Sequence, residues 1–271
     1  MLQRKYSPGE SPGDLVLQGG HGSTPTDIGT NVPPTSQFLH RPPRWSSFLP
    51  SFLSSPASPG QKDLQNKVFV FPTTSSTAVV HLHISNQQPL TKLTICLRHY
   101  SVLSRSYGLF SYATWSNSND FLIFKNAYKE YYIYVGGFYV TFKVPEKGEP
   151  SWDHICVSWD SSNGLVRFWL NGKPFPRRSL KKGYSISQEA SIMLGQDQDS
   201  FGGGFNINKS FVGEMSDVNM WPFVLEPSMV RLAKNNIGIA NPLISWRSLS
   251  YTIKNEVFVD NFLSPQGECI C

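Results

Sequence analysis

Between Lys67 and Trp221 the chain breaks into short β-branched and aromatic runs separated by turn signals, and no other feature narrows its fold as far. The runs read KVFVFP, TAVVHLHI, LTICLRHY, FLIFKN, YYIYVGG, YVTFKV, HICVSW, LVRFWL, ASIMLG and FVGEMSDVNMW. Strands of this kind at a spacing of about 8–12 residues mark an all-β sandwich or barrel. Two connections can be read directly. DSSNG joins His154–Trp159 to Leu165–Leu170, and Asn171-Gly172 then closes a tight turn, because both residues tolerate positive φ. The expected fold is all-β, a two-sheet antiparallel sandwich of about 200 residues. One stretch departs from the pattern. In LEPSMVRLAKNN, residues 225–236, Pro227 stands near the start and Met229, Val230, Leu232 and Ala233 follow at helical spacing, so one short helix is expected near 227–234.

Residues 1–60 have a different character. They hold 10 of the 20 prolines, with many Gly, Ser and Thr and no strand or helix period. That composition reads as a disordered extension, either natural or the product of a misassigned start. The globular domain is expected over 61–265, with 266–271 a short tail. Met1 is followed by LQRKYSPGESPGD, which has no apolar core and so forms no clear signal peptide; WSSFLPSFLSSPASPG, residues 45–60, is broken by prolines. No stretch reaches about 18 consecutive apolar residues, so no transmembrane segment is expected. The net charge of +5 is modest. Its densest cluster, Arg177, Arg178, Lys181 and Lys182, reads as a solvated turn rather than a nucleic-acid surface.

Of the four cysteines, Cys96 and Cys156 lie in strand-like runs. In an exported sandwich they suggest a disulfide between neighbouring strands, the alternative being two buried free thiols. Cys269 and Cys271, in the terminal GECIC, are left free or intermolecular. His154 and Cys156 share a strand face at i and i+2, but nothing nearby makes a thiolate pocket, so a catalytic pair is rejected. A glycoside-hydrolase reading needs two carboxylates flanking a cleft; the nearest pair, Glu256 and Asp260, are four apart in EVFVD, and no enzyme is expected.

HICVSWDS, residues 154–161, resembles the pentraxin signature His-x-Cys-x-Ser/Thr-Trp-x-Ser/Thr at His154, Cys156, Ser158, Trp159 and Ser161. KVFVFP, FSYAT, FWLNGKP, SLKKGY, LGQDQDSFGG, FVGE and VNMW agree with it, so the resemblance covers about residues 61–265 and is nearest the short pentraxins. It implies a lectin-like jelly roll, a Cys96–Cys156 disulfide, secretion and a homo-oligomeric ring, usually a pentamer. It also implies calcium-dependent binding of phosphorylated or carboxylated ligands on one face, as in innate immunity and the acute phase.

The resemblance places the calcium loop in LGQDQDSFGGGFNINKSFVG, residues 194–213. An EF-hand reading fails there: Phe201 and Asn208 stand at two ligand positions and no helices flank the loop. The family's acidic residue, glutamine carbonyl and aspartate fall on Asp197, Gln198 and Asp199. Its second acidic residue and glutamine fall on Asn206 and Lys209, and an ammonium has only donors. From the earlier loop, WSNSNDFLIF, Ser118 replaces an aspartate, Asn119 is kept, and Asp120 stands where a glutamate is usual. Two of four family carboxylates therefore survive, and at most one calcium per subunit is expected, weakly held by Asn119, Asp197, Gln198 and Asp199. Ser118, Asp120, Asn206 and Lys209 are doubtful contributors. Asn208-Lys209-Ser210 is an N-glycosylation sequon in the same loop.

The resemblance also implies a ligand pocket with Phe124 as its aromatic wall and Tyr134 and Tyr139 at its floor and cation-facing side. Aromatic faces there can attract a quaternary ammonium such as that of phosphocholine, or the rings can simply pack on the sheet. The function expected is a secreted pattern-recognition protein for phosphocholine, phosphoethanolamine, and microbial or damaged-cell surfaces. The alternative is an interaction or structural member that has lost calcium-dependent binding.

Overall fold

The structure, a computed structural model, describes residues 60–263 except 87, 128 and 147. The expectations for residues 1–59 and for Cys269 and Cys271 lie outside the described residues.

In chain order the strands are β1 (Lys67–Phe71), β2 (Val79–Leu82), β3 (Lys92–Tyr100), β4 (Tyr107–Thr114), β5 (Phe121–Asn126), β6 (Glu130–Val135), β7 (Phe138–Lys143) and β8 (Asp153–Asp160). They continue with β9 (Leu165–Leu170), β10 (Lys173–Pro174), β11 (Arg178–Ser179), β12 (Ala190–Leu194), β13 (Gly213–Trp221), β14 (Tyr251–Lys254) and β15 (Phe258–Asn261). One α-helix, α1, spans Pro227–Lys234. The strands form two sheets. An eight-stranded sheet runs β10-β9-β8-β3-β13-β1-β15, with β11 also on β9; a seven-stranded sheet runs β14-β2-β12-β4-β5-β6-β7. All pairings are antiparallel. This is the expected jelly roll, lectin-like in its two-layer form.

Alternation along the strands builds the core. Leu93, Ile95 and Leu97 of β3, Ile155, Val157 and Trp159 of β8, and Phe110 and Tyr112 of β4 are buried in one cluster with Phe121, Ile123, Tyr131 and Ile133. The buried Trp159 still satisfies its indole, donating to the Leu180 carbonyl at 3.0 Å. The opposite face of β3 and β8 carries Cys96 and Cys156. They are directly paired in register and joined by a disulfide. Trp169, Trp221, Leu225 and Val230 cover that disulfide as a second apolar cluster.

The helix lies where the sequence spacing puts it. Pro227 begins it, where its missing N–H leaves nothing unpaired, and Asn236 just past its end takes φ +56°. Only Val230 is fully buried; Met229 and Leu232 remain exposed. An eight-residue helix laid on the outside of a sheet has room to bury one narrow stripe. The expected two-residue turn is present, with Asn171 at φ +52° and Gly172 at φ +80°.

Candidate functional site

The loop after β12 is held from beneath by polar side chains. Gln196 donates through Nε2 to the carbonyls of Ser75 (2.9 Å) and Ala78 (2.8 Å). Gln198 donates to the Ser111 carbonyl (3.2 Å) and the Ser191 carbonyl (3.0 Å), and its Oε1 accepts from the Gly202 amide at 2.9 Å. The amide of Gln198 is thereby engaged by the scaffold, which leaves only its main chain to face a ligand. Gly195 sits at φ +83° against the Phe71 ring, where any side chain would collide. These anchors fix the loop's root on either side of Asp197.

A 3-10 turn, Ile207–Lys209, returns the loop. Asn206 caps it, its Oδ1 accepting from the Asn208 amide at 3.0 Å. Arg105 clamps it from outside, donating to the carbonyls of Asn208 (3.2 Å) and Ser210 (2.6 Å). The turn aims Lys209 back across the loop. Its Nζ lies 2.8 Å from Asp197 Oδ2 and 3.3 Å from Asp199 Oδ1. Asp197 is almost fully buried and Asp199 half exposed. Burial raises the Asp197 carboxyl above the usual carboxylate range, and Lys209 only partly offsets it. Burial alone would depress the Lys209 amine, but the hydrogen bond and charge of Asp197 and the charge of Asp199 outweigh it and raise it.

The second loop carries Asn119. Asn119 is held through its own main chain: its amide donates to Asn117 Oδ1 (3.0 Å) and its carbonyl accepts from Gly137 (3.0 Å). Asp120 is fully buried and turned into the scaffold. Tyr184 donates to its Oδ1 at 2.6 Å and Thr114 to its Oδ2 at 3.0 Å. Ser118 is partly exposed.

Calcium takes six to eight oxygens. Two buried acceptors, Asp197 Oδ1 and Asn119 Oδ1, have no hydrogen-bond partner, and they are the oxygen type this ion takes. Around them the fit is poor. An ammonium bridges the two surviving aspartates, the Asp120 carboxylate is held by two hydroxyls, and the Asn206 side chain is engaged in a cap. The residues present do not fit a second ion, and they fit a first only with Lys209 displaced.

Beside this loop the β5–β7 face carries a layer of rings. Phe124 pairs with Tyr132, and Tyr134 with Tyr139, across adjacent strands. Tyr139 stacks on Tyr132 at 4.9 Å and leans on Tyr134 at 5.0 Å. Burial, then the nearby charges of Asp197, Tyr139 and Tyr132, push the Tyr134 phenol up to about 12. Asn208 is exposed on the 3-10 turn, while Ser210 of the same sequon is buried and donates to the Ile207 carbonyl. Cys96, His154 and Cys156 also cluster, but both sulfurs are in the disulfide, so no thiolate is available to a metal. Residue patterning did not single out Arg105, Gln196 or Ser111. Arg105 lies about a hundred residues from the turn it clamps, and neither of the others stands in a ligand position.

A family model described as the pentaxin family matches residues 67–261. The chain is 47% identical over 216 residues to serum amyloid P-component of Bos taurus, covering 79% of this chain and 95% of that protein. It is 46% identical over 202 residues to C-reactive protein of Mus musculus, covering 74% and 89%. Among solved structures, a native heptameric SAP-like pentraxin from Limulus polyphemus aligns with a TM-score of 0.64 at 26% identity, over 73% of this chain and 96% of that one.

Proposed function

The chain belongs to the pentraxin family, and on that premise we propose that it is a secreted pattern-recognition protein whose calcium-dependent binding of phosphorylated or carboxylated head groups is weakened at the metal. The observation that carries this reading is the bridge from Lys209 to Asp197 and Asp199. A cation built into the chain stands where a divalent ion would draw its carboxylates. Calcium must displace it, and four oxygens from Asn119, Asp197, Gln198 and Asp199 are fewer than the ion takes. At most one weakly held calcium per subunit follows, with Ser118, Asp120 and Asn206 contributing nothing. Phosphocholine and phosphoethanolamine are the ligand class, held by the ion and by the Phe124, Tyr134 and Tyr139 rings. The heptameric relative supports a homo-oligomer, and a pentameric ring is the proposed state. A binding role rather than catalysis is proposed here.

The test is titration calorimetry of the oligomer with calcium, then with phosphocholine, beside a Ser118→Asp, Asn206→Glu, Lys209→Gln triple revertant. Weak binding of one ion, with two tight ions in the revertant, supports the reading. Two tight ions in the wild type overturn it. Lys209 also favours a second reading, an interaction protein independent of calcium. That reading holds if the wild type binds no ion at millimolar calcium and still assembles.

A further inference from the structure

Away from the loop, on the outer face of the eight-stranded sheet, β9 and the segment leading into α1 enclose a groove of about 610 Å³. Its floor is apolar, with Trp169 and Leu225 buried there, while Phe175 lines it from the sheet edge, its ring packed on the core ring Phe168 at 5.2 Å. Pro174, Pro176 and Pro227 line it and fix the backbone of its walls, so the shape is set before any ligand arrives. Three guanidiniums, Arg167, Arg177 and Arg231, border the groove against one carboxylate, Glu226.

Those arginines differ from the three engaged ones in the domain and, among the described residues, are unpaired like the exposed Arg178. Arg98 is paired with Asp217 and Arg247 with Asp63, and Arg105 is bonded to carbonyls. Arg167, Arg177 and Arg231 have no ion pair or guanidinium hydrogen bond among the described residues. They come from three separate segments: β9, the link between β10 and β11, and the helix. Arg167 and Trp169, at i and i+2, share one face of β9. A groove of this size is within the range for small-molecule sites, and guanidinium forks match carboxylate and phosphate oxygens bidentately.

We propose that this groove binds a small organic anion, a phosphate or carboxylate carried on an apolar aromatic body, with Trp169 and Leu225 against the body and the three arginines around the head. The site is independent of the calcium loop and does not rest on its reading.

The test uses calorimetry of the full-length oligomer at physiological salt with 1-naphthyl phosphate and 1-naphthoate as separate arms, and 1-naphthol and inorganic phosphate as controls. Saturable binding of at least one naphthyl anion, tighter than either control, is expected. Binding should weaken by about tenfold or more in Arg167→Gln/Arg231→Gln and in Arg177→Gln, as loss of a charge-assisted hydrogen bond implies. It should stay unchanged in Lys209→Gln. Arg177 and Arg231 are exposed and Arg167 partly so, and circular dichroism checks that the variants keep the fold. No saturable binding of either anion, naphthol binding as tightly as the anions, or arginine variants that bind like the wild type would each overturn the proposal. Loss of binding in Lys209→Gln would overturn it too, by moving the site to the loop.

Discussion

Replacing Lys209 with glutamine isolates the ammonium from everything else in the loop. The Asp197 side chain is 4% exposed and that of Lys209 34%. Removing one partner of a fully buried pair costs about 3–5 kcal/mol, because the other charge is left uncompensated. Here the amine is partly solvated and glutamine keeps an amide donor, so about 1–2 kcal/mol is the reasonable range in the absence of calcium. The half-exposed Asp199 contact adds little, in keeping with the ~0–1 kcal/mol of surface pairs. For a domain of this size each kcal/mol moves Tm by about 2–4 °C, so Lys209→Gln should melt about 2–8 °C lower in EDTA. Calcium should reverse the loss. An ion present at about 100 times its Kd adds ~2.7 kcal/mol. It no longer has to displace the amine, so its affinity should rise about tenfold for each ~1.4 kcal/mol of competition removed. The assay is scanning calorimetry of both proteins, in EDTA and in millimolar calcium. A wild type whose Tm rises with calcium as much as the variant's would sink the argument. So would a variant that melts like the wild type in EDTA and ignores calcium.

Three further outcomes are expected. Asp120→Ala should cost about 2–3 kcal/mol equally with and without calcium, since the carboxylate accepts from Tyr184 and Thr114; a calcium-dependent loss by denaturant titration would make Asp120 a ligand instead. Removing the Cys96–Cys156 bridge, which spans a separation of 60 residues, should cost about 4 kcal/mol in the chain-entropy model, read from urea midpoints of Cys96→Ala/Cys156→Ala; an unshifted midpoint counts against it. Burial, then the charges of Arg98 and Lys234, hold the His154 imidazole down at about 3, so it stays neutral in the fold. Its contribution is complete above the unfolded value of about 6.5 and is lost as pH falls from there toward 3, by up to ~4–5 kcal/mol; a His154→Gln variant should lose that part of the acid dependence, and an unchanged pH profile would refute the assignment.

Most of the fold was legible because its signals are local. Alternation put Ile95 and Leu97 on one face of β3 and Cys96 on the other, and Asn171-Gly172 carried its turn in two residues. The helix was placed correctly for the same reason. Which of its residues would be buried was not legible, because that depends on how the helix lies on the sheet. Met229 and Leu232 had the right spacing and face water. Asp120 shows a similar limit. Its identity and position suggest a carboxylate that could reach an ion, and only the fold brings Tyr184 to its oxygens from 64 residues away.

Lys209 was legible as a residue that cannot ligate calcium, but not as one that takes calcium's place. That requires a capped 3-10 turn at Asn206 and an arginine clamp at Arg105 to swing the amine across twelve residues onto Asp197. Formal charge then limits what the loop can accept. With Lys209 in place and both aspartates ionised, the site carries 1 − 2 = −1. One calcium brings it to −1 + 2 = +1, and a second to +3. With four carboxylates and no lysine, as the family pattern has it, the same two ions would end at −4 + 4 = 0. Asp197 is buried, where uncompensated charge is expensive, so the second ion meets a growing positive excess and the first only a small one. Asp120 does not change this count, because its carboxylate faces Tyr184 and Thr114 rather than the amine. The loop is therefore closest to neutral with its own lysine or with one ion, and each state is reached at the expense of the other's contacts.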